Sequence, residues 1–366
     1  MSSRVGIHYW KCDRPAALHG TMLGSGGRAP AQLMASLAQE LERRLGGPPW
    51  QLTPAAGQGN HLTFLADSGT RGYFLRVEDG PENDDYLAVE SELMRRLRSQ
   101  GVPVPLVHYC DASRTALPVA FHLLERIPEP DLNSHLKSGD LDLGKVLEEI
   151  GGWIARWQRC IPVKGFGPFD RAALETVGSL AGLHASAADY FFLRLPEHLD
   201  FLVARSFIAV EEKIAMLELL EGQRDLLGGL EPCLVHKDMA LWNVLGTRDR
   251  VTAFIDWDDA IGGDPMEDLA LLACFHPAEA VRVAIDGYAA VSNLPPDHMR
   301  RFWSHLLRNM IVKSVIRVGA GYLDGPGGLF IHGGSADGAS LRSFTLARLR
   351  AAARGLGEAR ETVAFD

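Results

Sequence analysis

The chain contains 366 residues, of which 46% are hydrophobic, a length and composition that fit two globular lobes. Its 37 basic and 46 acidic side chains give a net charge of −9, which argues against non-specific nucleic-acid binding. The five cysteines are scattered without a C-x-x-C pair, and no apolar run reaches the roughly 18 residues that cross a bilayer. The first residues lack the apolar core of a signal peptide. We therefore expect a cytoplasmic monomer or homodimer without nucleic-acid or membrane partners.

Residues 1–30 are predicted to be an N-terminal extension, whose first part packs as a strand or arm on the body of the protein. In this segment an aromatic, apolar stretch is followed by a flexible, turn-forming stretch. His8, Cys12 and His19 do not follow the spacing of known metal-ligand sets, so we expect the segment to be structural.

Residues 31–127 are predicted to form the first lobe, which is small and built on an antiparallel sheet. Leucines spaced four residues apart predict a helix over 31–46, and apolar periodicity predicts another over 84–99. Strands are predicted at 50–55, 61–67, 72–78, 106–111 and 118–125.

A glycine-containing turn lies between the first two strands and includes Gly57, Gly59 and Asn60. The backbone N–H groups of such a turn can contact phosphate oxygens, because glycine has no Cβ to block the approach. Most glycine turns between strands are only turns, and that alternative stays open.

The third strand places one cation, Arg76, among apolar residues. Kinases carry the cation that binds the nucleotide phosphates on this strand, and arginine can bind phosphate bidentately. A solvent-facing strand residue is the alternative. On the following helix, Glu90 is the predicted partner of Arg76, and Glu92 is its competitor.

The last strand before the helical part ends near Glu125 to Ile127. Its exposed backbone is predicted to pair with the edge of an adenine ring, although a plain edge strand is nearly as good an interpretation.

Residues 128–366 are predicted to form the second, mainly helical lobe. Helices are predicted at 141–160, 266–275, 277–291, 296–319 and 340–355. Residues 320–339 form a glycine-rich loop to which we assign no role.

Two short apolar strands within residues 233–268 bring three polar side chains to one place. Asp238 and Asn243 follow the first strand, and Asp256 ends the second. Phosphoryl transfer needs a carboxylate that orients the attacking hydroxyl, together with an amide and a second carboxylate that hold Mg²⁺. This pattern predicts a kinase for a small molecule.

These residues also resemble a known family. The run His236-x-Asp238-x-x-x-x-Asn243, then Ile255-Asp256-Trp257 and Gly263-Asp264-Pro265, is similar to the aminoglycoside phosphotransferase family. Two further stretches, 71–77 and 165–169, resemble its hygromycin-phosphotransferase branch.

The resemblance implies an α+β, two-lobed, protein-kinase-like fold that uses ATP, or alternatively GTP, with Mg²⁺. It implies that Asp238 is the catalytic carboxylate and that Asn243 and Asp256 are the metal ligands. Arg76 and Glu90 would be the phosphate-binding pair, with arginine replacing the usual lysine. His236 would support the loop rather than act as a base.

Several residues depart from the family pattern and mark the place where acceptor specificity is expected. Lys237 takes a position that is usually small, and we expect it to face solvent rather than the γ-phosphate. Trp242 and Trp257 would line a substrate pocket or belong to the core. Asp258 and Asp259 would contact substrate amines, or one of them would only cap a turn.

The expected function is transfer of a γ-phosphate from ATP or GTP to a hydroxyl of an aminoglycoside-like antibiotic. A kinase of a sugar, amino alcohol or nucleoside is the first alternative, because a shared fold does not select the acceptor. A non-catalytic nucleotide-binding protein is the alternative from another class. A protein kinase is disfavoured because too few residues separate Asp256 from Gly263 for an activation segment.

Overall fold

The computed structural model describes residues 3–21, 31–55, 61–324 and 338–366, which fall into two compact units. The first unit contains the described residues of 31–128, and the second combines those of 4–22 with 129–366. The N-terminal segment, residues 4–21, includes the short helix α1 (Trp10–Asp13). This segment, predicted as an N-terminal extension, is part of the second unit.

The first unit is a five-stranded antiparallel sheet with two helices. Its helices are α2 (Ala31–Leu45) and α3 (Leu87–Ser99), and its strands are β1 (Trp50–Pro54), β2 (Leu62–Ser68), β3 (Arg71–Glu78), β4 (Val107–Asp111) and β5 (Ala120–Glu125). The strand order is β1-β2-β3-β5-β4, with β3 in the centre.

Alternation along β3 explains where its side chains lie, since successive residues of a strand face opposite sides of the sheet. Leu75 and Val77 are fully buried in a core that also contains Leu37 and Leu41 of α2. Arg76 lies on the other side of the sheet, where it meets α3. The strand therefore supplies the core on one face and a buried cation on the other.

The second unit is mainly helical. Its helices after the N-terminal segment are α4 (Leu132–Ser138), α5 (Leu143–Cys160), α6 (Arg171–Val177), α7 (Ala187–Phe191), α8 (Leu195–Ala204), α9 (Val210–Glu221), α10 (Arg224–Leu227), α11 (Glu267–Leu272), α12 (Ala278–Ala289), α13 (His298–Gly319) and α14 (Gly338–Gly357). Its strands are β6 (Phe166–Phe169), β7 (Gly182–His184), β8 (Cys233–Val235), β9 (Val244–Thr247), β10 (Arg250–Phe254) and β11 (Ile261–Gly263). These strands form a sheet in the order β7-β6-β11-β8 and a separate β9-β10 hairpin.

Close contact between helices α5 and α12 organises one side of this unit. A Cβ at Gly151 would collide with the carbonyl oxygen of Ala284, and one at Gly287 would collide with that of Glu148. Glycine at both positions therefore lets the two backbones touch. Among the described residues, none of the helices is both long and apolar enough to cross a membrane.

These elements confirm the predicted α+β class, with an antiparallel sheet in the N-terminal part and helices in the C-terminal part. Apolar periodicity predicted the individual strands and helices, and the family resemblance implied the fold that they form. Most of the glycine-rich loop 320–339 lies outside the described residues.

Candidate active site

The loop that follows β8 is held from both ends by hydrogen bonds. The backbone N–H groups of His236 and Lys237 donate to the carboxylate of Asp268, at 2.8 and 3.0 Å. The amide of Asn243 donates to the backbone carbonyl of Asp238 at 2.8 Å. These contacts fix the backbone on each side of Asp238, so its carboxylate has a defined position.

Four donors reach the carboxylate of Asp238. Tyr9 Oη and Lys313 Nζ donate to Oδ1 at 2.6 and 3.0 Å. Lys11 Nζ and Asn243 Nδ2 donate to Oδ2 at 2.9 and 3.0 Å. Two of these four donors come from the N-terminal segment.

The charge of Asp238 is set by a balance between burial and these neighbours. Burial raises the pKa of the carboxyl group, whereas the ammonium groups of Lys11 and Lys313 and the Tyr9 hydroxyl lower it. The net result is a pKa well below the ordinary value, so Asp238 is ionised at neutral pH. It can therefore accept a hydrogen bond from a hydroxyl group.

Asn243 and Asp256 have the oxygen atoms that a Mg²⁺ ion needs. The Asn243 amide nitrogen is used by two hydrogen bonds to Asp238, so its oxygen is the atom that can bind a cation. The backbone carbonyl of Asn243 accepts the N–H of Ile255. This hydrogen bond brings the backbone next to Asp256 close to Asn243. Carboxylate and amide oxygens are the hard ligands that Mg²⁺ prefers, so the residues present fit this ion.

The imidazole ring of His236 is held in the loop by hydrogen bonds at both of its nitrogens. Its Nε2 lies 3.0 Å from the carbonyl oxygen of Ile255, and its Nδ1 accepts the N–H of Asp238 at 3.3 Å. Burial lowers the pKa of this imidazole, and the ring is neutral at pH 7. One ring nitrogen thus joins the loop to the end of β10 near Ile255, and the other holds the backbone of Asp238.

The expectation that Lys237 faces solvent is wrong. Its backbone has a φ of 71°, and only 2% of the residue is exposed. The ammonium group forms an ion pair with Glu267 and lies 5.4 Å from the ring centre of Tyr190. A left-handed backbone at this position turns the side chain inward, and a carboxylate at the start of α11 compensates its charge.

The two tryptophans predicted as pocket residues have different environments. Trp257 is fully buried and packs edge-on against Trp157, with ring centres 5.3 Å apart. It belongs to the core, which was one of the two predicted alternatives. Trp242 is partly exposed and contacts the ring of Phe275 edge-on at 4.9 Å.

Asp258 and Asp259 are 5% and 6% exposed, so they do not form an open acidic surface for substrate amines. The side chain of Arg4 donates to the carbonyl oxygen of Asp258, and the N–H of Trp10 donates to Asp259. Burial and the neighbouring Asp258 raise the pKa of Asp259 to about 7. The N-terminal segment covers this pair.

In the first unit, the predicted pair between Arg76 and Glu90 is present at 2.7 Å. Glu90 has a side chain that is 1% exposed, whereas the competitor Glu92 pairs with Arg96 at 2.9 Å. The inward face of α3 thus selects Glu90. His61 also contacts the Arg76 guanidinium group.

The other predicted nucleotide contacts are Glu125, Ile127 and the glycine-containing turn. The N–H of Glu125 donates to the carbonyl of Leu106 at 2.8 Å, so the sheet already uses that donor. Ile127 follows β5 and is half-buried. Gly57, Gly59 and Asn60 lie outside the described residues.

Tyr9, Lys11 and Lys313 were not predicted from the sequence as neighbours of Asp238. They lie at least 75 positions from Asp238 along the chain, so no local pattern connects them to the loop. The only available signal was the unexplained aromatic and basic run around Tyr9.

A buried, ionised aspartate beside an amide and a second carboxylate, on a kinase-like α+β fold, defines a phosphotransferase-type protein. Residues 51–302 match the model of the phosphotransferase enzyme family named APH, and the chain belongs to this family. The family resemblance predicted from the sequence is thereby confirmed.

Over 228 residues the chain is 27% identical to hygromycin-B 4-O-kinase from Escherichia coli, covering 58% of this chain. The chain thus spans only 59% of the length of that relative. Its structure is similar to a thermostable mutant of aminoglycoside phosphotransferase APH(4)-Ia bound to AMP-PNP and hygromycin B, with a TM-score of 0.60 and 19% identity. That match covers 86% of this chain and 98% of the other.

A candidate fructosamine-3-kinase from Thermobifida fusca is similar with a TM-score of 0.58 and 19% identity, covering 86% of this chain and 99% of the other. These two structural similarities concern the fold, since both identities are low.

Proposed function

We propose that this chain is a kinase that transfers the γ-phosphoryl group of ATP to a hydroxyl group of an aminoglycoside-like antibiotic. The observation that carries the proposal is Asp238: it is buried, ionised and held on the same loop as Asn243. Family membership and the similarity to hygromycin-B 4-O-kinase support the same chemistry.

In this mechanism, Asp238 accepts a hydrogen bond from the acceptor hydroxyl and orients it toward the γ-phosphorus. It takes the proton as the new phosphorus–oxygen bond forms. Asn243 and Asp256 would hold Mg²⁺, which when bound neutralises charge on the nucleotide phosphates. Arg76, kept in place by Glu90, would bind phosphate oxygens.

ATP is proposed as the donor because two mutants of aminoglycoside phosphotransferase APH(4)-Ia, which is similar in fold, have been solved with AMP-PNP and with ADP. The antibiotic acceptor is proposed from the hygromycin-B relative and from the two sequence stretches that resemble the hygromycin branch. Such a site raises the rate mainly by positioning the acceptor hydroxyl in line with the γ-phosphorus, since the protein forms no covalent bond to the phosphoryl group.

A metabolite kinase is the second candidate function. The observation that favours it is the burial of Asp258 and Asp259, which removes the acidic surface expected for a polycationic acceptor. Sugars and amino alcohols need only a correctly placed hydroxyl group. The two candidates share the same catalytic residues and differ in the acceptor alone.

Asp238→Asn tests the catalytic assignment. We expect kcat to fall about 10²–10⁴-fold because the amide cannot take the proton, while ATP affinity is retained. ADP release in a coupled assay gives kcat, and calorimetry gives the affinity for ATP. The matched control is Asp249→Asn, a 44%-exposed carboxylate that pairs with Lys145 in the same unit. Near-normal turnover of Asp238→Asn would show that the assignment is wrong.

The acceptor is tested with the wild-type chain and a panel of hygromycin B, other aminoglycosides, sugars, amino alcohols and nucleosides. Transfer to hygromycin B or a relative supports the antibiotic proposal, and transfer to a sugar or amino alcohol supports the second candidate. Tight ATP binding without transfer to any member would favour a non-catalytic nucleotide-binding protein.

A further inference from the structure

We propose that Lys11 is a further catalytic residue of this phosphotransferase: its ammonium group leaves Asp238 when the acceptor binds, and then contacts the transferring phosphoryl group. The inference rests on the proposed function, since it takes Asp238 as the carboxylate that orients the acceptor. The family match begins at residue 51, so it does not include this lysine.

The hydrogen-bonding capacity of the Asp238 carboxylate is already filled by four donors. A carboxylate has about four lone-pair sites for hydrogen bonds. Tyr9 and Lys313 contact Oδ1, and Lys11 and Asn243 contact Oδ2, all within 3.0 Å. An acceptor hydroxyl can therefore approach Asp238 only if one of these donors leaves.

Exposure identifies the donor that leaves. The side chain of Lys11 is 29% exposed, whereas that of Lys313 is 10% exposed. Lys313 lies over the ring of Tyr9 at 4.5 Å, and the Tyr9 residue itself is only 3% exposed. Lys11 is thus the donor with room to move, on a flexible four-carbon stem.

The position of Lys11 also fits a role in phosphoryl transfer. Its Nζ is 2.9 Å from Oδ2 of Asp238 and 3.9 Å from Oδ2 of Asp256. The ammonium group thus lies between the proposed acceptor-orienting carboxylate and the proposed metal ligand. A cation at this place faces the negative charge that the phosphoryl oxygens carry in the transition state.

The backbone beside Lys11 is anchored, so the lysine side chain can change its position while the N-terminal segment stays in place. Asp13 accepts the N–H groups of His8 and Tyr9 at 2.9 and 3.0 Å, and its other oxygen lies 2.6 Å from Nε2 of His198. Trp10 is 2% exposed, with the Arg4 guanidinium group 4.2 Å from its ring centre. A fixed helix turn, α1, presents one partly exposed lysine to the site.

Other cations near the loop are already committed to partners. Lys237 is buried against Glu267, and Lys313 is held between Asp238 and two aromatic rings. Within the described part of the second unit, Lys11 is therefore the cation near Asp238 that combines exposure with a flexible stem.

The acceptor oxygen forms a bond to the γ-phosphorus, and the bond from that phosphorus to the bridging oxygen breaks. ADP leaves with the electron pair, and the hydroxyl proton passes to Asp238. Lys11 stays protonated throughout and exchanges one anionic partner, Asp238, for another, the phosphoryl oxygens.

The experiment compares Lys11→Met, Lys11→Arg and Lys213→Met in the full chain. Lys213 is a matched control because its side chain is 24% exposed and also pairs with an aspartate, Asp200. ATP-dependent transfer is measured with the acceptor found in the panel, and circular dichroism with thermal unfolding checks that each variant folds.

We expect Lys11→Met to lower kcat about 10²–10³-fold, as for loss of one preorganised donor, while KM for the acceptor stays within about threefold. Lys11→Arg keeps the charge and should retain most of the activity. Lys213→Met should match the wild type. For Lys11→Ala, added ethylammonium should restore part of kcat, which a purely structural role would not allow.

Two results separate failure of this inference from failure of the proposed function. If the wild type transfers phosphate and Lys11→Met keeps its kcat, or gains kcat/KM because a blocking group is gone, the role of Lys11 is refuted alone. If the wild type transfers phosphate to no acceptor, the proposed function and this inference are both overturned.

Discussion

Two cation–carboxylate pairs of this chain differ in how far they are enclosed. In the first unit, Arg76 and Glu90 lie 14 positions apart in the sequence, with side chains 7% and 1% exposed. In the second unit, Lys11 and Asp238 lie 227 positions apart, and the lysine side chain is 29% exposed. The first pair is enclosed by a strand and a helix, whereas the second opens to solvent on the lysine side.

The difference teaches which pair can change partners. A buried charge that loses its partner is strongly destabilising, so Arg76 and Glu90 are held together. A partly exposed lysine can replace a lost partner by water at little cost. One pair thus fixes a geometry, and the other can be exchanged during a reaction. The variants below test this contrast, from the largest expected effect to the smallest.

Glu90→Ala tests the enclosed pair. It leaves the Arg76 guanidinium group buried without its carboxylate, and we expect the free energy of unfolding to fall by about 3–5 kcal/mol. Denaturant unfolding of the purified chain measures the change. Glu92→Ala is the control on the same helix, since its 37%-exposed carboxylate pairs with Arg96. Equal effects of the two substitutions would contradict the claim that burial distinguishes them.

Asp13→Asn tests the anchor of the N-terminal segment. The amide cannot replace the carboxylate that joins two backbone N–H groups to His198, so docking should weaken by about 1–3 kcal/mol. Hydrogen exchange of peptides within residues 4–21 should become faster. We also expect kcat to fall, as for Lys11→Met, because Lys11 lies on the same segment. Asp200→Asn, a 63%-exposed carboxylate, provides the comparison. Unchanged exchange in Asp13→Asn would show that the segment is held by other contacts.

Tyr9→Phe has the smallest expected effect. It removes the hydrogen bond that the Tyr9 hydroxyl donates to Asp238 and the one that it accepts from Lys313 Nζ, and it keeps the aromatic ring. Since Lys313 still contacts the same carboxylate oxygen, kcat should fall by less than about tenfold. Steady-state kinetics beside Tyr322→Phe, a 40%-exposed tyrosine, measure the difference. A loss as large as that of Asp238→Asn would mean that Tyr9 itself takes part in the reaction.

Features encoded by nearby residues could be predicted from the sequence. Glu90 was chosen over Glu92 from the inward face of a helix, and the structure has that pair. The strand that ends before Asp256 and the loop with Asp238 and Asn243 follow from short apolar runs and their spacing. Such local patterns determine the elements and most of the loop.

Features that depend on distant residues could not be predicted. Lys237 was expected in solvent because neither its left-handed backbone nor Glu267, 30 positions away, is visible in the local pattern. Asp258 and Asp259 were expected to be available to a substrate, but contacts from Arg4 and Trp10 cover them. Each of these differences comes from a contact with a residue that is distant in the sequence, either Glu267 or a residue of the N-terminal segment.

The discontinuity of the second unit bears on the order in which its contacts can form during synthesis. Residues 4–21 are made well before their partners, since His198 follows Asp13 by 185 residues and Asp238 follows Lys11 by 227. The first unit ends at Pro128, so it can fold before these partners exist. The N-terminal segment can therefore dock only after the partners have been synthesised, and the surroundings of Asp238 are complete only after Lys313 has been added.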